Sequence, residues 1–330
     1  MAMSEVCVIG SNSFSGASFC ASLLARGVDV IAVSRSPEAH DVFSPYRWRR
    51  SGARLDFEQI DLNTNLDRLM ILLAERKPRI VFNFAAQSMV GESWDKPDDW
   101  MRTNVVTVAR LAERLRHLDF LDRYVHVTTP EVYGSTDGWI TEDAVANPST
   151  PYAVSRAAGD MLFKIYRETF GLPVVSTRAA NVYGPGQPLY RIIPRTVFFL
   201  LTGRKLQLHG GGVSTRSFIH MDDVSEATWK IATDAPIGET YHISTNRIVS
   251  IRELVEILCR MLGVNFDDAV DVAPERLGKD SAYWLNSDKV RRLGWSDRVS
   301  LEAGLGEVIE WARRNIDELE KQPFAYIHKP

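Results

Sequence analysis

The stretch VIGSNSFSGASF, Val8–Phe19, joins a buried apolar run to an amphipathic one and decides the fold of the chain. The run EVCVIG predicts a buried strand, and ASFCASLLARG predicts a helix that ends at Gly27. Gly10 permits a tight turn, Gly16 permits close packing of the helix on the strand, and N–H groups at the helix start can bind a pyrophosphate. Ser13 replaces the middle glycine of the usual spacing. By itself the stretch therefore fits a dinucleotide site and a plain glycine turn equally well.

The following segments repeat the strand and helix pattern. VDVIAVS, RIVFNFAA, RYVHVTT and PVVSTRAA predict further strands, with helices between them at about 99–117 and 152–170. Strands that alternate with helices predict an α/β fold, a Rossmann-type doubly wound parallel sheet with helices on both faces. Ligands of such sheets bind at the carboxyl ends of the strands, so we expect the chemistry in the loops that follow them.

The composition of the sequence changes from Asn181 onward, where NVYGPGQP predicts a loop rich in Gly and Pro. Beyond it we predict helices near 192–202, 222–233 and 250, strands at SFIH and TYHIS, and a last amphipathic helix, SLEAGLGEVIEWARRNI. We therefore expect a dinucleotide-binding domain at 1–181, with returning segments near 213–245. Residues 182–330 are expected to form mainly a smaller, interleaved C-terminal lobe that binds the substrate.

Composition narrows the class of protein. The chain has 330 residues and a net charge of −3, so nothing predicts binding to nucleic acid or to an anionic membrane surface. No apolar run is long enough to span a bilayer, and the first residues lack the features of a signal peptide. The cysteines Cys7, Cys20 and Cys259 have neither disulfide-framework nor metal spacing, so we assign them to the core. A cytoplasmic protein without a metal site is expected.

The second predicted strand ends in VSRSPE, which bears on the choice of cofactor. An NAD site usually has an acid there, whereas Arg35 suits a 2′-phosphate. NADP is therefore slightly favoured over NAD, with a solvated loop cation as an equal alternative for Arg35. Asp61 follows the third strand and is expected near the adenine.

Three further stretches fall at strand ends of the same sheet: NFAAQSMV, TTPEVYGS and PYAVSR. With the glycine turn they resemble the extended short-chain dehydrogenase/reductase family, and more narrowly its nucleotide-sugar 4,6-dehydratases. FNFAAQSMVGESWDKPDDWMRTNVVTVARL is similar to the GDP-mannose 4,6-dehydratases. RAANVYGPGQP, GGGVSTRSFIHMDD and PERLGKDSAYWLNSDKVRRLGW resemble the dTDP-glucose 4,6-dehydratases and related branches.

The resemblance implies a closed redox cycle on a nucleotide-diphosphate sugar with tightly bound NAD(P). Tyr152 matches the base that removes the 4-hydroxyl proton while a hydride passes from C4 to the nicotinamide. Thr129 matches the hydroxyl that hydrogen-bonds the 4-oxygen, and Glu131 matches the base at C5. Water then leaves from C6, the hydride returns there, and the product is a 4-keto-6-deoxy sugar. A cation beside Tyr152 is expected to favour its phenolate.

Two departures from the family pattern concern the same site. Pro130 stands between the Thr and the Glu, where many dehydratases carry an Asp that protonates the departing C6 hydroxyl, and proline has no proton to donate. Glu131, a water or Tyr133 would have to replace that acid. Arg156 stands where the family has lysine. We expect it to supply the charge and to reach the nicotinamide ribose, although the two side chains are not interchangeable at a tight site.

The resemblance also assigns binding residues and an assembly. For the cofactor it implies Gly10, Ser13, Phe14, Ser15, Gly16, Arg35, Asp61, Leu62, Ala85, Ala86, Tyr152 and Arg156. For the substrate it implies Ser88, Thr129, Asn181, Arg195, Arg216 and Arg276. A homodimer through the two helices is implied as well. The apolar residues Val105, Val108, Leu111, Leu115, Met161, Phe163 and Ile165 suit either that contact or packing on the sheet.

Two other classes of function remain open at this stage. A UDP-glucuronate decarboxylase or an epimerase also begins with C4 oxidation and needs no acid at C6, which suits Pro130. A non-catalytic sensor of sugar nucleotides or redox state would explain both Pro130 and Arg156. Retention of Thr129, Glu131 and Tyr152 together argues against the sensor.

Overall fold

The computed structural model of the chain describes residues 5–48, 51–274 and 284–329. In these residues the strands are β1 (Glu5–Ile9), β2 (Asp29–Ser34), β3 (Leu55–Gln59), β4 (Ile80–Asn83), β5 (Arg123–Val127), β6 (Trp139–Ile140), β7 (Val174–Ala179), β8 (Asn181–Tyr183), β9 (Leu206–His209), β10 (Thr215–Arg216), β11 (Phe218–His220), β12 (Thr240–Ile243), β13 (Val249–Ser250), β14 (Val270–Ala273) and β15 (Trp284–Leu285). The helices are α1 (Phe14–Ala25), α2 (Leu66–Arg76), α3 (Pro97–Met101), α4 (Thr107–Leu115), α5 (Pro151–Phe170), α6 (Ile192–Leu201), α7 (Met221–Asp234), α8 (Ile251–Leu262), α9 (Phe266–Ala269), α10 (Asp288–Arg292), α11 (Leu301–Arg314) and α12 (Ile316–Glu320).

Seven parallel strands form the main sheet in the order β12-β7-β5-β4-β1-β2-β3. The chain winds outward from β1 through β2 to β3, and then returns to β4 on the other side of β1. This confirms the predicted Rossmann-type doubly wound sheet. The reversal opens a crevice at the carboxyl ends of β1 and β4, where ligands of such sheets bind.

Alternate residues of the inner strands pack on opposite faces of the sheet, as an extended backbone requires. In β1, Val6 and Val8 lie in one cluster with α1 and α7, whereas Cys7 and Ile9 lie in another with α2, α4 and α5. Both faces of β1 are therefore buried, which explains why its sequence is a continuous apolar run.

The two helices of the predicted dimer contact divide their apolar residues between core and surface. The first runs from α3 through a π-helical turn at Arg102–Val106 into α4, and the second is α5. The side chains of Val108, Leu111, Leu115 and Phe163 are buried on the sheet. They are therefore excluded from a contact between subunits, while Met161 and Ile165 are exposed.

A second core lies outside the main sheet and is formed mainly by α6, α8 and α11, with the parallel pair β9 and β14. Two elements of this later part of the chain return to the main sheet: β12 pairs with β7, and α7 packs on α1. The loops between the two cores lie at the carboxyl edge of the sheet.

Cys7, Cys20 and Cys259 are free and buried, which confirms their assignment to the core. Burial also raises the pKa of all three thiols, so they stay protonated. Within the described ranges, every helix is too short or too polar to cross a membrane.

Candidate active site

The first turn of the sheet, between β1 and α1, has no room for side chains at its two glycines. A Cβ on Gly10, which has a φ of +85°, would lie 2.5 Å from the backbone nitrogen of Ala85. A Cβ on Gly16 would lie 2.2 Å from the carbonyl oxygen of Gly10. The start of α1 is thereby pressed against the carboxyl end of β1, and its N–H groups face the crevice.

Polar groups of this turn fit an anionic ligand. Ser13 caps α1: its hydroxyl accepts from the N–H of Gly16 at 3.0 Å and donates to the carbonyl of Gly10 at 2.7 Å. In the described part of the chain, Ser11 Oγ is buried without a hydrogen-bond partner. A buried hydroxyl without an acceptor is costly unless a ligand supplies one, as a pyrophosphate would. The residues present therefore fit a dinucleotide.

The other predicted cofactor residues follow the carboxyl ends of β1 to β4 along the chain. Asp61 follows β3, and its carboxylate accepts from the N–H of Asn63 at 2.9 Å. Arg35 follows β2, and its guanidinium donates to the carbonyl of Lys329 at 2.9 Å. Phe14, Ser15, Leu62, Ala85 and Ala86 are all partly buried around the turn or after β3 and β4. Their role toward a cofactor stays a prediction.

The loop after β5 turns at once into a short 3-10 helix, Pro130–Tyr133. Thr129 is its N-cap, with its hydroxyl 3.3 Å from the backbone nitrogen of Glu131, which donates to it. Pro130 occupies the first helical position, where its fixed φ and missing N–H are favourable. The proline that cannot act as an acid therefore has a structural reason to be there, because it fixes Thr129 and Glu131 on either side of it.

Tyr152 lies in the first turn of α5, whose N-cap is Thr150. The phenol is buried, and it interacts with Thr129, Glu131, Arg156 and Arg191. The structure thus brings Thr129 and Glu131 of the β5 loop together with Tyr152 and Arg156 of α5, a later segment of the chain.

The predicted effect of a cation on Tyr152 is present, but two larger effects oppose it. Burial and the negative charge of Glu131 raise the pKa of Tyr152 to about 12. Arg156, a hydrogen bond with Thr129, and Arg191 act in the opposite direction but do not outweigh them. In this state the phenol is protonated, because the predicted help from Arg156 is present but smaller than the cost of burying a phenolate.

Arg156 is buried one helical turn after Tyr152, and a guanidinium nitrogen donates to the carbonyl of Val127 at the end of β5. In the described part of the chain its Nε is buried without a partner. Arg156 is therefore tied to the sheet edge directly beneath the catalytic loop. Whether it also contacts a nicotinamide ribose, as the family lysine implies, stays a prediction.

A buried polar network continues from Arg156 into the sheet. Asp160 follows Arg156 by another helical turn, and its carboxylate lies 2.7 Å from Arg178 and 3.3 Å from His126. Burial would raise the pKa of Asp160, but the close approach of His126 and the charge of Arg178 hold it at about 2. Burial lowers the pKa of His126. Asp160 is thus an anion whose balancing charge near neutral pH comes mainly from Arg178.

Tyr133 belongs to this network and not to the surface of the crevice. Its hydroxyl is 2.7 Å from His242 Nε2 and accepts from Arg178, whose guanidinium also lies over the ring. The side chain is buried, and burial raises its pKa. These contacts remove Tyr133 from the three candidates for the missing C6 acid.

The predicted substrate residues are distributed around the crevice. Ser88 is exposed after β4, and Asn181 begins β8. Arg216 is buried in β10 and donates to the carbonyl of Thr215 at 2.8 Å. Arg195 donates to the carbonyls of Leu189, at 3.2 Å, and Phe324. Arg276 lies outside the described residues, and the binding role of all five stays a prediction.

Sequence reasoning missed Arg191 and Gln87. Arg191 precedes α6 and acts on the charge of Tyr152, and Gln87 is buried after β4. Nothing in their local sequence marks either one, because an arginine before a helix and a glutamine after a strand are common. Asp160 had a signal, since residues 152, 156 and 160 form one stripe at helical spacing.

His220 and Asp223 have structural roles at the start of α7. His220 caps α7 by accepting from the N–H of Asp222 at 3.3 Å. Asp223 accepts from the N–H groups of Arg298 and Val299 at 2.9 and 3.0 Å, which ties α7 to the loop before α11.

Similarity to known proteins agrees with this geometry. The model of the GDP-mannose 4,6 dehydratase family matches residues 7–308. The dTDP-D-glucose 4,6-dehydratase of Homo sapiens is 34% identical over 251 residues, which are 74% of this chain and 71% of that protein. The structure of DesIV, a dTDP-glucose 4,6-dehydratase from Streptomyces venezuelae with NAD and TYD bound, superposes with a TM-score of 0.88 at 32% identity. It covers 96% of this chain and 99% of that one.

The fold and the residues at its carboxyl edge define an extended short-chain dehydrogenase/reductase of the nucleotide-sugar dehydratase branch. The chain belongs to the GDP-mannose 4,6-dehydratase family. It is also 30% identical over 256 residues to a trifunctional UDP-glucose 4,6-dehydratase/UDP-4-keto-6-deoxy-D-glucose 3,5-epimerase/UDP-4-keto-L-rhamnose-reductase of Arabidopsis thaliana. That match spans 38% of the plant protein.

Proposed function

We propose that the chain is an NAD(P)-dependent nucleotide-sugar 4,6-dehydratase. The observation that carries the proposal is the meeting of Thr129, Glu131 and Tyr152 at the sheet edge that also holds the Gly10 turn. Membership of the dehydratase family supports it. Because the named relatives act on dTDP-glucose or UDP-glucose, these two sugars are the first substrates to test.

The residues of the cluster have distinct roles toward the sugar. A bound nicotinamide supplies the acceptor and later the donor of a hydride. Tyr152, in its phenolate form, takes the proton of the 4-hydroxyl, and Thr129 holds the 4-oxygen. The resulting 4-ketone acidifies C5, and Glu131 takes the C5 proton. The positive charges of Arg156 and Arg191 oppose the rise in the pKa of Tyr152 and thus favour its deprotonation.

Departure of the C6 hydroxyl needs a proton that Pro130 cannot give. Tyr133 is held in the buried network by His242 and Arg178. We therefore assign the step to Glu131, which gains a proton at C5 and can pass it to the leaving oxygen, directly or through a water. One carboxyl group then acts first as base and then as acid, without a second acidic residue.

The choice between NAD and NADP depends on Arg35, in this proposal. DesIV is described with NAD, whereas Arg35 at the end of β2 suits a 2′-phosphate. Titration calorimetry with both cofactors on wild type and on Arg35→Ser decides the point. If Arg35 binds a 2′-phosphate, the substitution weakens NADP much more than NAD. Equal effects on both would leave NAD as the cofactor and Arg35 without that role.

A homodimer through α4 and α5 forms part of the proposal. Five large apolar side chains are exposed on α5 and on the π-helical turn before α4: Val106, Val154, Met161, Ile165 and Phe170. Met161→Glu together with Ile165→Glu would place charges in such a contact, and sedimentation velocity should then show a monomer. A cytoplasmic location remains a prediction from the sequence.

The decisive experiment incubates the purified chain and cofactor with dTDP-glucose, UDP-glucose, GDP-mannose and UDP-glucuronate, and measures product mass. A 4,6-dehydratase gives a product lighter by one water. With deuterium at C4 of the substrate, the label should reappear at C6 of the same molecule. Tyr152→Phe is the matched control, because it removes only the hydroxyl.

Pro130 also fits reactions that begin with C4 oxidation but do not remove the C6 hydroxyl. A decarboxylase and an epimerase are of this kind, since neither needs an acid at C6. Loss of carbon dioxide from UDP-glucuronate would indicate the decarboxylase. An unchanged mass with altered stereochemistry at C4 would indicate the epimerase. If the chain binds these sugars but turns over none of the four, the result supports a non-catalytic sensor instead of an enzyme.

A further inference from the structure

Residues 323–329, called the strap below, have no regular secondary structure and lie along the surface of the molecule. Phe324, Tyr326 and His328 are partly buried, while the alternate residues between and beside them are exposed. Ile327, for example, has 63% of its surface exposed. A period of two is what an extended chain shows when one of its sides lies on a surface.

One end of the strap is held by the second core. The ring of Phe324 packs at 5.1 Å from that of Phe198 in α6, and its carbonyl accepts from Arg195. The ring of Tyr326 meets that of Tyr190 edge-on at 5.5 Å. These contacts fix where the strap leaves the smaller lobe.

The other end of the strap is held by the sheet domain. His328 Nε2 lies 2.7 Å from a carboxylate oxygen of Asp99, and its ring stacks on Trp100 at 5.1 Å with only 10° between the planes. The carbonyl of Lys329 accepts from Arg35 at 2.9 Å and from Gln87 at 2.6 Å. The strap therefore bridges the two lobes.

The position of the Lys329 carbonyl defines what the strap covers. Arg35 follows β2 and Gln87 follows β4, and β1 lies between these strands in the sheet. An acceptor bonded to both residues therefore sits at the carboxyl end of β1, in front of the Gly10 turn. Its two donors belong to the segments expected to bind the ribose and phosphates of a dinucleotide, so the carbonyl has the hydrogen-bonding chemistry of those groups.

We propose that the strap is an autoinhibitory contact that occupies the dinucleotide crevice and leaves it when the cofactor binds. This inference rests on the cofactor binding of the proposed function. A protein whose binding-competent state is only partly populated binds its ligand more weakly by that fraction. Weakening the strap should therefore tighten cofactor binding, without any change to a residue that touches the cofactor.

The test is titration calorimetry of NAD and of NADP into the full chain, freed of cofactor, with substitutions at both partners of one strap contact. His328→Ala and Asp99→Ala each remove the same hydrogen bond from opposite sides. We expect each to lower the Kd about five- to tenfold, and the double variant to do no more than the singles, because the residues act as one contact. Ile327→Ala is the matched control in the same segment and should bind as wild type does.

A spin label supplies a readout that is independent of affinity. All three native cysteines are buried, so Ile327→Cys introduces an accessible thiol at an exposed strap position. The nitroxide spectrum should sharpen when NAD is added to this variant, since release of the strap frees the label. With His328→Ala added, the spectrum should be sharp before any NAD is present.

The remaining outcomes separate the two hypotheses. An unchanged or raised Kd in His328→Ala and Asp99→Ala overturns autoinhibition. A spin label that becomes less mobile when NAD is added also overturns it, because the strap would then be a cover over bound cofactor. Failure of every form, including wild type, to bind either cofactor overturns the proposed function and the strap proposal together.

Discussion

The catalytic loop and the strap reach the same edge of the sheet but are supported in opposite ways. Tyr152 and Arg156 stand on a long helix whose buried face continues into the ion pair of Asp160 and Arg178. The strap has no regular structure, and ring contacts of Phe324, Tyr326 and His328 with a few hydrogen bonds hold it. Segments with few buried contacts open at low free-energy cost, whereas a buried network opens only with the core. Tyr152, Arg156 and Asp160 on α5, together with Arg178, are called the fixed frame below. The strap, in contrast, is a segment that is able to move.

Tyr152→Phe tests the chemistry of the fixed frame and should have the largest effect. Loss of the acid/base hydroxyl is expected to lower kcat about 10³-fold, within the range for general acid–base groups. The melting temperature should stay near that of wild type, because the ring remains packed. Turnover measured by product mass, with circular dichroism as control, checks both. A kcat within tenfold of wild type would remove Tyr152 from the mechanism.

Asp160→Asn tests the support of that frame. The substitution leaves the Arg178 charge buried without its anion, and breaking a buried pair from one side costs about 3–5 kcal/mol. Urea unfolding should show this loss. Lys164→Gln, on the same helix but with an exposed side chain, is the control and should change stability by less than about 0.5 kcal/mol. Equal stability of the two variants would mean that the network does not support the frame.

His242 makes the stability of the folded chain depend on pH. Burial lowers the pKa of His242 from its ordinary 6.5 to about 3, so the folded chain keeps the imidazole neutral where the unfolded chain protonates it. Stability is fully present above pH 6.5 and falls as the pH drops toward 3, by about 1.4 kcal/mol per pH unit for this residue.

The measurement compares urea unfolding at pH 7 and pH 5 for wild type and His242→Gln. His126, whose pKa burial also lowers, is present in both proteins, so the difference between them isolates His242. The variant should lose about 2 kcal/mol less than wild type on acidification. Parallel losses in the two proteins would contradict a neutral, buried His242.

Sequence predicted the fixed frame far better than the strap, for physical reasons. The sheet and the glycine turn follow from periodicity and glycine sterics, and TTPEVYGS with PYAVSR carried the cluster around Tyr152. The effect of the Arg156 charge on Tyr152 was predicted in the right direction, whereas the larger rise in the pKa from burial was not foreseen, because burial depends on packing that no local pattern reveals. The strap has an alternating pattern, FAYIH, but alternation alone does not say which surface receives it.

Substitutions of Arg156 test whether activity depends on the positive charge of this side chain or on its shape. Its positive charge lowers the pKa of Tyr152, so Arg156→Ala should move the rising limb of the pH–rate profile to higher pH and reduce kcat/KM about tenfold at neutral pH. Arg156→Lys keeps the charge and should restore both. If the alanine variant is as active as wild type, Arg156 does not fill the role of the family lysine.

His328→Ala tests whether the strap contributes to global stability. Of all these substitutions, it should have the smallest effect on the free energy of unfolding. The contact with Asp99 joins two partly buried side chains, and its loss frees only a short extended segment, so the cost in global unfolding is expected to stay below about 1 kcal/mol. Urea unfolding of the cofactor-free chain measures it. A loss as large as that of Asp160→Asn would place the strap within the cooperative core. It could not then leave the crevice without unfolding the enzyme, and the distinction between a fixed frame and a movable segment would fail.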